Sequence, residues 1–152
     1  MSVLSIFVSA LAVLVSVLSF FSTRQVARWQ ASTAREKLKQ DLYDRRFAIY
    51  MAFHELLVAI SENDDSEVEL RNANAARAHS PFLLDERLTT YLEGLHREAF
   101  GLNARVKLIR DQNIPKTPED VTKFAQDRLA FTNKISGMIE QFKPFLRLTD
   151  LS

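Results

Sequence analysis

The chain has 152 residues and no cysteine, which excludes disulfides, thiolate catalysis and Cys-ligated metal centres. Its 20 Lys and Arg against 19 Asp and Glu leave a net charge of +1, so no global field directs it to nucleic acid. Three Gly and four Pro, none of either before Pro81, argue for long helices and an all-α fold.

The first predicted element is a membrane span. From Val3 to Phe21 there is no charge, Gly or Pro, only Val, Leu, Ile, Phe, Ala and four Ser. As a helix these residues cover about 28 Å, close to the ~30 Å hydrocarbon core of a bilayer. A cleaved signal peptide fits less well. No basic side chain precedes the apolar run, the run is too long, and Ser22-Thr23-Arg24 is a poor cleavage site. A buried helix of a globular domain is disfavoured because the run has no polar face. The expectation is a transmembrane anchor over 1–23.

Within the span Ser2, Ser5, Ser9, Ala12, Ser16, Ser19 and Thr23 recur at alternating steps of three and four. Small side chains in lipid let helices approach closely, and hydroxyls can bond across the contact. Ser5, Ser9, Ala12, Ser16 and Ser19 are therefore the expected face of a membrane homo-oligomer. The alternative is a lone helix whose hydroxyls bond back to their own i−4 carbonyls.

A basic juxtamembrane helix is expected over 24–40. Arg24, Arg28, Arg35, Lys37 and Lys39 follow the span, opposed only by Glu36. Positive residues stay on the cytoplasmic side, so the body of the chain is expected in the cytoplasm of a bacterial inner membrane. Arg24, Arg28, Arg35 and Lys39 share one helical face. With Trp29 they suit lipid headgroups of the bilayer. The same charges could equally serve only to set topology.

The remaining residues, 41–148, read as an antiparallel bundle of three to four helices. Leu42, Ile49, Phe53, Leu56 and Ile60 form one stripe, and Tyr43, Phe47, Tyr50 and Leu57 flank it, a face wide enough for a bundle core. Asn63-Asp64-Asp65 is a turn, and Ser66 with Glu69 reads as a capping box opening a helix to about Ala78, broken by Ser80-Pro81. The next helix is predicted over 85–111 with Leu88, Leu92, Leu95, Ala99, Leu102, Val106 and Ile109 inward. Gly94 and Gly101 mark places where a neighbour could pack closely. Thr117 caps the last helix, with Pro118 at its first position and Glu119 and Asp120 at its positive end. That helix is predicted to reach Phe142, with Val121, Phe124, Phe131, Ile135, Met138 and Phe142 on one face and Arg128 obliged to snorkel or pair. Pro144 ends it, and Phe145, Leu146 and Leu148 form a tail.

No chemistry-bearing constellation is legible. There is no Gly-rich phosphate loop or nucleotide fingerprint, and His54-Glu55 is followed at the zinc-protease spacing by Val58 rather than His. His54, His79 and His96 fall on separate elements. No catalytic residue, metal, cofactor or small-molecule substrate is expected, and the chain reads as no enzyme. The basic stretch adjoins the predicted membrane span rather than a free groove-reading helix, so no nucleic-acid partner is expected.

The segment Asp41, Tyr43, Asp44, Arg45, Arg46 and Phe47 is the candidate partner-binding surface, where Arg and aromatic side chains can anchor a protein. Asp41 and Arg45, four apart, can pair. The competing view is a solvated charged face beside the core. From Phe47 to Leu70 there are six acidic residues and neither Lys nor Arg, so charge reverses away from the predicted membrane.

The Lys-Leu-x-x-Asp-Leu-Tyr-Asp-Arg-Arg-Phe-x-x-Tyr stretch from Lys37 to Tyr50, with Pro81-Phe82-Leu83-Leu84-Asp85-Glu86 and its continuation to Leu92, resembles small bacterial single-pass membrane proteins of unknown function. The resemblance covers Met1 to about Leu102. It implies a bacterial or prophage origin and a membrane location, and no activity. Two functions remain in view. One is a self-associating membrane-anchored scaffold or interaction protein. The other is a phage or envelope accessory similar to the inner-membrane spanins, which needs a periplasmic body.

Overall fold

The computed structural model describes residues 3–62, 66–111 and 115–147, and for residues 3–15, 17 and 18 the backbone alone. Among the described residues the regular structure is all helical, without strands: α1 (Val3–Glu62), α2 (Glu67–Leu83), α3 (Glu86–Arg110), α4 (Pro118–Thr132) and α5 (Lys134–Phe142). The chain divides into two compact units, Met1–Gln40 and Asp41–Ser152. Among the described residues no helix is long and apolar enough to cross a membrane. Most of the run Val3–Phe21, on which the expected span rests, has side chains outside those described.

The second unit is a helical bundle. Its core takes Ile49, Phe53, Leu56, Leu57 and Ile60 from α1, the Leu88-to-Val106 stripe from α3, and Phe124, Phe131, Met138 and Phe142 from α4 and α5. Ile109 packs half-buried against it. The heptad steps of α3 thus face inward as expected. Burying a large apolar side chain contributes roughly 1.5–3 kcal/mol, so these Phe and Leu residues dominate the favourable side of folding.

Helices α2 and α3 run antiparallel, stapled at both ends. Lys107 pairs with Glu67, and Arg77 with Glu93 at 3.7 Å. α3 is joined in the same way to the elements that follow it, by Arg105 with Asp127 and Lys134 with Glu98. All eight side chains are well exposed, so each pair stabilises by under about 1 kcal/mol and acts mainly on register.

Five local expectations change. α2 does not stop at Ala78 but runs through Pro81 to Leu83. A proline here removes the N–H that would bond the Arg77 carbonyl. The fully buried Ser80 supplies the missing donor, its Oγ bonding the Arg77 carbonyl at 2.8 Å. Ser66 precedes α2 as expected but makes no side-chain cap. Its buried hydroxyl instead donates to Asn103 Oδ1 at 3.1 Å, tying the start of α2 to α3.

Gly94 and Gly101 are exposed, and a Cβ at either would meet nothing within 4 Å, so no close helix approach explains them. Val121 is exposed rather than part of the inner face. The last helix is interrupted by a turn at Asn133, whose N–H still bonds the Leu129 carbonyl at 3.1 Å. Arg128 snorkels, its guanidinium carbon 6.0 Å from the centroid of the Phe124 ring. The Thr117 cap forms as a reciprocal capping box with Asp120. Asp85 caps α3 by accepting from the Leu88 N–H at 2.7 Å.

Candidate functional site

The segment from Asp41 to Phe47 opens the second unit, and its side chains divide by helical face. Asp41, Asp44 and Arg45 are exposed, Tyr43 is half-buried, and Phe47 is 40% exposed. Asp41 and Arg45 do not pair among the described residues. Tyr43, Phe47 and Tyr50 stack along the helix at 6.0 and 5.9 Å between ring centroids, and Tyr50 meets Phe142 edge-on at 5.4 Å. The ladder therefore starts on the surface and ends in the core.

Arg46 differs from its neighbours by turning inward. Its Nε donates to the Leu83 carbonyl at 2.9 Å, one terminal nitrogen reaches the Phe145 carbonyl at 3.5 Å, and its guanidinium lies 5.6 Å from the Phe145 ring centroid. It joins α1 to the end of α2 and to the turn after α5. Its guanidinium serves this fold contact, leaving Asp41, Tyr43, Asp44, Arg45 and Phe47 as the accessible part of the predicted surface.

In the first unit Arg24, Arg28, Trp29 and Arg35 are exposed and Lys39 is half-buried. Arg24 lies over the Phe20 ring at 4.7 Å, and the Trp29 carbonyl accepts from both Ser32 and Thr33 hydroxyls at 2.9 and 3.0 Å. Of the small-residue stripe, Ser5, Ser9 and Ala12 lie outside the residues whose side chains are described. Thr23 bonds back to the Ser19 carbonyl at 2.8 Å, as a helical hydroxyl can without any neighbour.

Sequence reasoning missed an open groove between α2 and α3, with a volume of about 620 Å³. One wall carries Leu70, Arg71 and Asn74; the other carries His96, Phe100 and Asn103. Each set follows helical spacing, so two faces converge. Phe100 is 64% exposed, an apolar ring left in the open beside polar groups. The His96 ring is fixed by its Nε2 bond to the Leu70 carbonyl at 3.2 Å, which makes Nε2 the protonated nitrogen because a carbonyl only accepts. The only sequence signal was an aromatic at 100 flanked one turn away by His96 and Ala104 on an otherwise polar face.

At the groove's edge, Lys107 donates to Glu67 and holds its carboxyl below the usual carboxylate value, through the hydrogen bond first and the opposite charge second. Burial raises the Tyr91 phenol, aided by the nearby Glu98 carboxylate. His54, His79 and His96 lie on α1, α2 and α3, and no group of three His, Asp or Glu able to hold a metal occurs among the described residues.

Compared with protein-family models, curated proteins and solved structures, the chain matches none.

Proposed function

We propose that this is a membrane-anchored helical interaction protein, self-associating through its N-terminal segment and holding its bundle at the cytoplasmic face of a bacterial inner membrane. One observation carries the reading: nineteen consecutive uncharged, mostly apolar residues, Val3 to Phe21, are followed at once by five basic residues and one acid before the bundle begins. Apolar length supports a span, and the basic flank supports a cytoplasmic body. The stripe Ser5, Ser9, Ala12, Ser16 and Ser19 is the assembly face in this reading. The exposed Asp41, Asp44, Arg45 and Phe47, with the half-buried Tyr43, are the surface for a protein partner.

The test is alkaline carbonate extraction of bacterial membranes. The full chain stays in the pellet, whereas Leu11→Arg with Val15→Arg releases it, since a charge at mid-span costs about 2.5–3.5 kcal/mol. Extraction of the unaltered chain by carbonate would refute the anchor. Self-association is tested separately by crosslinking in membranes. Ser9→Leu with Ser16→Leu lowers the crosslinked dimer, and an undiminished dimer would remove the assembly face.

A further inference from the structure

The α2/α3 groove has the size, the charge and the fixed polar groups of a small-ligand site. Its volume of about 620 Å³ falls within the range of roughly 300–1,000 Å³ that holds one small organic molecule. Its polar groups are not equivalent. Glu67 is engaged by Lys107 and also attracts Arg71, so the three side chains together carry one net positive charge. Arg71 sits one turn along α2, with only its Nε bonded, at 3.4 Å to the Glu67 carbonyl; its terminal nitrogens make no hydrogen bond among the described residues.

A guanidinium with two free terminal nitrogens is a fork for a carboxylate. Opposite it, the open Phe100 face offers a stacking platform, and Leu70 supplies a buried apolar floor. The Nε2 proton of His96 is taken by Leu70, and the Asn103 carbonyl oxygen accepts from Ser66, so these two groups are already held in place.

We infer that this groove binds an aromatic monocarboxylate, its carboxylate on Arg71 and its ring against Phe100. A monoanion suits a lining whose two cations, Arg71 and Lys107, outnumber its one carboxylate, Glu67, and an aromatic body suits the exposed ring. The inference does not depend on the membrane reading, because every residue involved belongs to the second unit.

The test uses 1-naphthoate and its neutral analogue 1-naphthamide as probes, titrated by saturation-transfer NMR against the purified full chain in mild detergent, with the detergent alone as reference. Naphthoate binds, and naphthamide binds about tenfold or more weakly, the cost of losing a hydrogen bond to a charged group. Arg71→Glu loses naphthoate binding about tenfold or more, Arg71→Lys retains part of it, and Phe100→Ala weakens both probes. Unchanged thermal unfolding of Arg71→Glu shows that the loss is not unfolding, and Arg71→Lys keeps the test decisive if that variant proves unstable. Equal binding of the two probes, undiminished binding to Arg71→Glu, or no binding above the detergent reference each overturns the inference.

Discussion

Arg46 and Leu83, 37 residues apart in the chain, are joined by a 2.9 Å hydrogen bond from the guanidinium Nε to the backbone carbonyl. The same side chain lies over the Phe145 ring. One residue thus ties the first helix of the bundle to the end of α2 and to the turn following α5. Arg46→Ala is expected to destabilise the bundle by about 2–3 kcal/mol, combining a charged hydrogen bond and a cation–π contact. Arg46→Lys recovers less than half, because an ammonium cannot make the planar two-directional contact. Chemical unfolding measures both, and a loss below about 0.5 kcal/mol for the alanine variant would show that the clamp is incidental.

Ser80 and Pro81 form a second unit of structure, in which a hydroxyl serves the carbonyl that the proline leaves unbonded. Ser80→Ala costs about 1–2 kcal/mol in wild type. In a Pro81→Ala background the restored N–H bonds the Arg77 carbonyl, and the cost of Ser80→Ala shrinks. A double-mutant cycle gives the coupling directly; a coupling of zero means the two residues act independently.

Phe131 and Phe82 stand at opposite extremes of burial. Phe131 is fully buried and Phe82 is 85% exposed. Phe131→Ala is expected to cost about 3–5 kcal/mol, whereas Phe82→Ala stays within about 0.5 kcal/mol. Comparable losses would mean that the bundle packs differently from this description.

Acid acts on the cap of α4. The Thr117 hydroxyl and then the Thr117 backbone N–H hold the Asp120 carboxyl below its ordinary value. A lowered folded value contributes stability above the unfolded carboxylate range and loses it as pH falls through the folded value. The melting-temperature difference between wild type and Asp120→Asn is therefore constant from about pH 8 to pH 5 and shrinks below about pH 4. A difference that grows on acidification would contradict the assignment. Glu67, held down by Lys107, adds a contribution of the same sign in the same window.

Much of the bundle was readable because its periodicity is strong. The α3 stripe from Leu88 to Val106 is buried as its steps imply, and the Thr117-Pro118-Glu119-Asp120 start of α4 follows from capping chemistry alone. The failures have different causes, some a tertiary partner and some a local bond that the pattern does not show. Ser66 gives its hydroxyl to Asn103 rather than to its own helix, and Ser80 rescues a carbonyl that Pro81 alone would have orphaned. Arg46 sat in a charged run that looked outward as a whole, yet the helical turn carries it toward Leu83 and Phe145. The α2/α3 groove was illegible because it arises only when two separate helical faces meet, and neither face carries a motif.

The most direct test of the central claim, an anchored bundle in the cytoplasm, is a C-terminal topology reporter. The full chain is fused in turn to alkaline phosphatase, active only in the periplasm, and to green fluorescent protein exported through the general secretory route, fluorescent only in the cytoplasm. The basic residues after Phe21 predict fluorescence without phosphatase activity. Phosphatase activity without fluorescence would contradict the account and place the bundle in the periplasm, where a spanin-like envelope role becomes the better reading.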